Sequence, residues 1–147
     1  MSALSIVSDL PACSPEDLDE TMRMRAVVAE MPQYDFPTEH FFHGGMYVRT
    51  VKMPASSILC GAVIKVPTLV TVAGDCIVKV GEDAREIVGY AVLRGAPGRS
   101  QIFIARSETY ITMSFPSKAK TLEEAEEEFT DEYEQLMSRR TSCQVEP

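Results

Sequence analysis

Through the middle of the chain, apolar and polar residues follow one another in short runs that turn-forming residues cut at nearly regular intervals. Met46–Met53 alternates, with Met46, Val48 and Val51 on one side and Tyr47, Arg49 and Thr50 on the other once a single slip is allowed. This is the pattern of a half-buried strand. Residues 58–66 and Thr68–Ala73 are more continuously apolar, as strands covered on both faces or lining a barrel interior are. The runs Cys76–Val80, 84–88, 90–94, 101–105 and 108–115 bring the count to eight. They are separated by Pro54, Pro67, Gly74-Asp75, Gly81-Glu-Asp83, Gly89 and Gly95-Ala-Pro-Gly98. Eight such runs in about seventy residues predict a jelly roll or β-sandwich, not a sheet with crossover helices.

The flanks carry different patterns. Residues 1–13 have no period and include Pro11, which predicts an extended arm. Ser14-Pro15-Glu16-Asp17 predicts a helix start, with Ser as N-cap, Pro at the first helical position and acids facing the positive end of the dipole. Leu18, Met22, Ala26 and Ala29 continue it as a narrow apolar stripe to about Glu30, where Met31-Pro32 ends it. Thr121-Leu-Glu-Glu124 is a capping box, and Leu122, Ala125, Phe129, Tyr133 and Leu136 fall on one helical face, predicting a helix from Leu122 to about Ser138. The organisation expected is therefore an arm and short helix (1–37), a β-barrel (38–118), and an acidic helix with a tail (119–147).

Composition narrows the function. The 147 residues suit one domain with one core. Net charge is −8, and the eight acids between Thr121 and Ser138, with no basic residue among them, account for it. No basic stripe exists to neutralise a phosphate backbone, so direct nucleic-acid binding is not expected. No apolar run approaches the ~20 residues needed to cross a bilayer, and Met1–Asp9 lacks the basic and apolar regions of a secretory signal. Cys13, Cys60, Cys76 and Cys143 form no C-x-x-C pair, and Cys60 and Cys76 read as small core residues. No nucleophile motif appears. Gly95-Ala-Pro-Gly98-Arg99 does not open a helix as a phosphate loop must, so it reads as a hairpin turn.

The succession Thr38-Glu-His40-Phe-Phe-x-Gly-Gly45-Met-Tyr47-Val-Arg49, a strand led by Pro54, a Gly74-Asp75 turn, a Pro97-Gly98 turn with a strand after it, and a terminal acidic helix resembles small cupin-like proteins. Many of these are encoded by tailed bacteriophages. The resemblance covers about residues 36–130 and implies a mainly β, cupin-like jelly roll. Metal-binding members carry two His and a Glu after a Gly, and a further His shortly after a Pro-x-Gly turn. Here residues 62–73 hold no His, Glu, Asp or Cys, and the later slot falls near Gln101. His40 and His43 are the only histidines, and both lie upstream of these motifs. No metal, no cofactor and no enzymatic activity are expected.

The resemblance, with a barrel interior read as filled by Ile, Val and Leu, implies a non-enzymatic structural or interaction protein. Its expected setting is a phage virion assembled in the host cytoplasm, as a dimeric or trimeric capsid cement or decoration protein. The arm residues Leu4, Ile6, Val7 and Leu10 are expected to grip a neighbouring subunit. The alternative is a metal-independent cupin that binds a small ligand or sugar or acts as an isomerase, with Tyr47, Arg49, Arg94 and Gln101 at the barrel mouth. A further alternative is an accessory protein that binds a host factor through the acidic helix.

Overall fold

The Gly44-Gly45 pair occupies the left-handed region at both positions, with φ of 59° and 75°. That conformation suits the tight turn of a twisted hairpin and strongly favours glycine. The turn joins β2 (Thr38–His43) to β3 (Met46–Met53), antiparallel from the Thr38–Val51 pair to the His43–Met46 pair. The computed structural model describes residues 7–136, and in it the remaining strands are β1 (Val7–Leu10), β4 (Ile58–Cys60), β5 (Thr68–Ala73), β6 (Cys76–Val80), β7 (Asp83–Ile87), β8 (Tyr90–Gly95), β9 (Ile102–Ala105) and β10 (Thr109–Pro116). They form a six-stranded sheet in the order β1, β8, β5, β10, β3, β2 and a four-stranded sheet in the order β4, β9, β6, β7. The protein is a mainly β sandwich of jelly-roll type.

Period-two burial shows how the strands enclose the interior. Along β10, Thr109, Ile111, Met113 and Phe115 are buried and the residues between them are more exposed. On β5, Thr68, Val70 and Val72 are buried, with Leu69 outside. On β3 the inward series is Tyr47, Arg49, Val51 and Met53, running without a slip. The expected division of this strand is thereby corrected: Val48 is not on the side of Val51, and Arg49 is. A charged residue therefore stands on an inward face, cross-strand from Met113.

Several boundaries differ from expectation. The arm is not free. Val7–Leu10 pairs in parallel with Val92–Gly95 of β8, and Leu10 is fully buried in the protein's own core. Val7 is about half exposed, while Leu4 and Ile6 lie outside the described residues. The run expected at 58–66 keeps only three strand residues. Beyond Cys60 the backbone turns to other partners: Val63 N–H donates to the Glu132 carboxylate (2.8 Å) and Lys65 N–H to the Phe129 carbonyl (2.8 Å).

The first helix, α1, spans Pro15–Ala29 and carries the expected Ser14 cap and capping box with Asp17. The second, α2, spans Leu122–Phe129 with the expected Thr121–Glu124 box, but stops nine residues short of Ser138. Thr130, fully buried and extended (φ −152°, ψ 147°), ends it, and its hydroxyl accepts from Glu132 N–H. Periodicity alone ran through this break because Tyr133 and Leu136 happen to keep the spacing. Residues 133–135 form one 3-10 turn, and residues from 137 onward lie outside the described set.

Candidate functional site

The interior expected to be filled instead holds a partly open cavity of about 630 Å³ between the two sheets. Its apolar wall includes Val51 of β3, Val70 of β5, Met113 of β10 and Phe103 of β9. The mouth is covered by Arg25 and Val28 of α1 and by the segment after α2. That segment crosses the mouth because Thr130 redirects the chain there. Arg25 then holds it, with Nη1 at 3.1 Å from Glu132 Oε2 and Nη2 at 2.9 Å from Gln135 Oε1.

Polar groups enter this apolar space at Arg49, Arg99 and Gln101. Each has a buried side-chain atom with no hydrogen-bond partner: Nη1 of Arg49, Nε of Arg99 and Oε1 of Gln101. These are the unpartnered buried polar side-chain atoms among the described residues, and all belong to residues of one cavity. Native interiors leave very few such atoms, because each forfeits on the order of 1–3 kcal/mol of hydration.

Arg99 is the sharpest case. It is completely buried, donates from Nη1 to the Ala96 carbonyl (2.9 Å) and from Nη2 to the Thr68 hydroxyl, and forms no ion pair within the described residues. Burial draws its pKa down to about 10, still well above neutrality. At roughly 1.4 kcal/mol per pH unit, holding it charged opposes folding by on the order of 3 kcal/mol. The fold nonetheless makes room for it. A Cβ on Gly95 would lie 2.4 Å from Arg99 Cζ, so the guanidinium rests where a side chain would otherwise be. Gly61 stands in the same relation to Gln101, whose Nε2 would be 3.0 Å from its Cβ.

Arg49 has a more balanced setting. Its Nη1 lies 3.8 Å from Oε2 of the buried Glu126, close enough for attraction but too far for a hydrogen bond. Its guanidinium carbon sits 5.9 Å from the centroid of the Phe129 ring. Phe129 in turn stacks on Tyr47 (6.1 Å) and meets Phe115 edge-on (6.1 Å), which locks α2 against β3 and β10. Burial pushes the Tyr47 hydroxyl up to about 12, and it lies 2.7 Å from Nδ1 of His40. Burial first, and the charge of Arg49 second, lower the pKa of His40 and favour its neutral form.

The four residues expected at the mouth thus separate. Arg49 and Gln101 line the cavity. Tyr47 packs in the core behind Phe129. Arg94 is not in the cavity wall: it is exposed on β8 and pairs with Asp9 on β1 at 2.8 Å, because its neighbours Leu93 and Gly95 take the inward places. Arg99 lies in the segment that the sequence presents as a hairpin turn. The signal that could have found it is Gly95, a glycine at the end of a β-rich run four residues before an arginine. Glu132 and Arg25 had no local signal, since their meeting depends on the break at Thr130.

Metal-binding cupins need a cluster of imidazole and carboxylate donors. Among the described residues no three His, Cys, Asp or Glu side chains are grouped so as to hold a metal ion. His40 and His43 lie three apart on an extended strand, on opposite faces by the strand period, and His40 faces Tyr47. The cavity lining has Cys60 and Glu132 beside its guanidinium and amide groups, and among the described residues these do not make the three-donor cluster that a transition metal needs.

The chain is similar in fold to cupins of known structure. A cupin superfamily protein from Desulfitobacterium hafniense superposes with a TM-score of 0.50 at 8% identity, over 63% of this chain and 87% of that one. A cupin 2 conserved barrel domain protein from Salinispora arenicola gives 0.46 at 7% identity, over 58% and 82%. A conserved Streptococcus pyogenes protein of unknown function gives 0.45 at 7% identity, over 60% and 81%. No family model matches the sequence, and no curated protein matches it. The fold is cupin-like. At these identities the likeness concerns the barrel and not its chemistry.

Proposed function

We propose that this chain is a cupin-fold binding protein that holds a small organic molecule inside its barrel, without a metal ion. The observation that carries this reading is the coincidence of the cavity with all three unpartnered buried polar atoms of the described residues. A bound molecule supplies the missing partners. The volume lies within the range of drug-sized ligand sites, about 300–1,000 Å³. Binding is favoured over catalysis because guanidinium and amide groups do not exchange protons near neutrality. Glu132 is held by Arg25 and by Val63 N–H, and burial raises the Cys60 thiol, keeping it protonated.

Native mass spectrometry of gently purified protein, with metal analysis of the same sample, tests this. The expected result is an organic adduct, or an adduct restored by soaking with a metabolite extract, that survives a chelator. One transition metal per chain, with binding that is lost on chelation, overturns the proposal.

A second reading is an interaction protein. It is favoured by β2, the open edge of the six-stranded sheet, which exposes Phe41 (50%) and Phe42 (40%). Its finer form, a dimeric or trimeric cement protein of a phage capsid, rests on the sequence resemblance. It also loses part of its arm, since Leu10 is spent on the protein's own core.

A further inference from the structure

We infer that the ligand of the cavity is a monocarboxylate with an apolar body and a hydroxyl or N–H donor, its charge being met by Arg99. The inference rests on the binding reading above and adds the chemistry of the ligand.

Charge decides the first part. Arg25, Arg49 and Arg99 line the cavity, and Glu132 is the acid in its wall. Arg25 is matched by Glu132 at 3.1 Å, and Arg49 by Glu126 at 3.8 Å. Arg99 has no acid among the described residues, whose side chains therefore leave the site one positive charge in excess, on a residue with no exposed surface. A buried charge is stabilised by an opposite charge brought within reach; no acid among the described residues supplies it, and an anionic ligand would. A single excess charge matches a monoanion better than a phosphate dianion. A planar guanidinium presents its donors in the geometry that a carboxylate accepts.

The rest of the lining decides the second part. Val51, Val70, Phe103 and Met113 offer only apolar contact on the inner wall, so the part of the molecule that lies against them is apolar, while the hydroxyls of Ser56 and Ser57 and the amides of Gln33 and Gln135 lie elsewhere in the lining. Oε1 of Gln101 can only accept a hydrogen bond and has none, which calls for a donor on the ligand. Nη1 of Arg49 makes no hydrogen bond, although Glu126 Oε2 lies 3.8 Å away, and can donate to the second carboxylate oxygen or a neighbouring polar atom.

The test is calorimetric titration of the full chain with matched acids and primary amides of the same shape, built on phenyl, indole and branched alkyl bodies. 3-Phenyllactate, 3-phenyllactamide and 3-phenylpropanoate form the central set. At least one acid should bind at least about tenfold more tightly than its amide, and the hydroxy acid more tightly than the acid lacking the hydroxyl. In Arg99→Met the preference for the acid should vanish, and in Gln101→Leu the preference for the hydroxyl. The comparison on the unaltered protein needs no variant, so a failure of Arg99→Met to fold leaves the test intact. Equal binding of acid and amide overturns the carboxylate inference while leaving the binding cavity standing. Absence of binding by every pair overturns both.

Discussion

Arg99 and Gly95 together illustrate how a single position is chosen. An arginine without an acid partner is an expensive thing to bury, and a glycine near the end of an otherwise regular strand gives up side-chain packing. Each is hard to account for alone. Placed together they make sense, since the missing Cβ of Gly95 is the space that the guanidinium fills. His40 supplies the residue-scale prediction. Its folded pKa lies below 6.5 because burial, and then Arg49, disfavour the imidazolium. A depressed folded value means that its contribution to stability is complete above the unfolded pKa and is lost as pH falls through the folded one. Urea midpoints should therefore decline as pH drops below 6.5, and His40→Gln should remove that part of the decline. If the variant and the parent protein fall in parallel through this window, the imidazole is not buried beside Tyr47 as described.

Elements were legible where one face meets the core and the other meets solvent. The strands β5, β6 and β10 follow their apolar runs closely, and both helix starts follow their capping boxes. Elements defined by what they meet elsewhere were not legible. The four residues of β1 are a strand only because β8 offers them a parallel edge. The segment after Cys60 leaves its strand because Phe129 and Glu132 claim its amides. Arg49 was readable as a mouth residue, but its inward position depended on a strand phase that one supposed slip obscured. The docking of β1 on β8 yields a prediction. Leu10→Ala should destabilise the folded protein by about 2–5 kcal/mol, the range for a buried leucine. Denaturant unfolding checks it, and a loss well under 1 kcal/mol would mean that β1 is detached in solution.

At the scale of the whole molecule, the two sheets, α1 and the segment after α2 build one partly open cavity, and the polar groups that lack partners among the described residues collect there. Within this cupin-like fold the cavity brings together guanidinium and amide groups, the feature on which the proposed binding role rests. The most direct measurement is chemical-shift mapping by nuclear magnetic resonance, with a tight-binding small organic acid titrated into isotopically labelled protein in the presence of a chelator. The account predicts saturable shifts at Val51, Val70, Phe103 and Met113 inside the barrel, with β7 on the far edge of the smaller sheet left unchanged. Shifts confined to surface residues, or interior shifts that appear only when a metal is supplied, would contradict it.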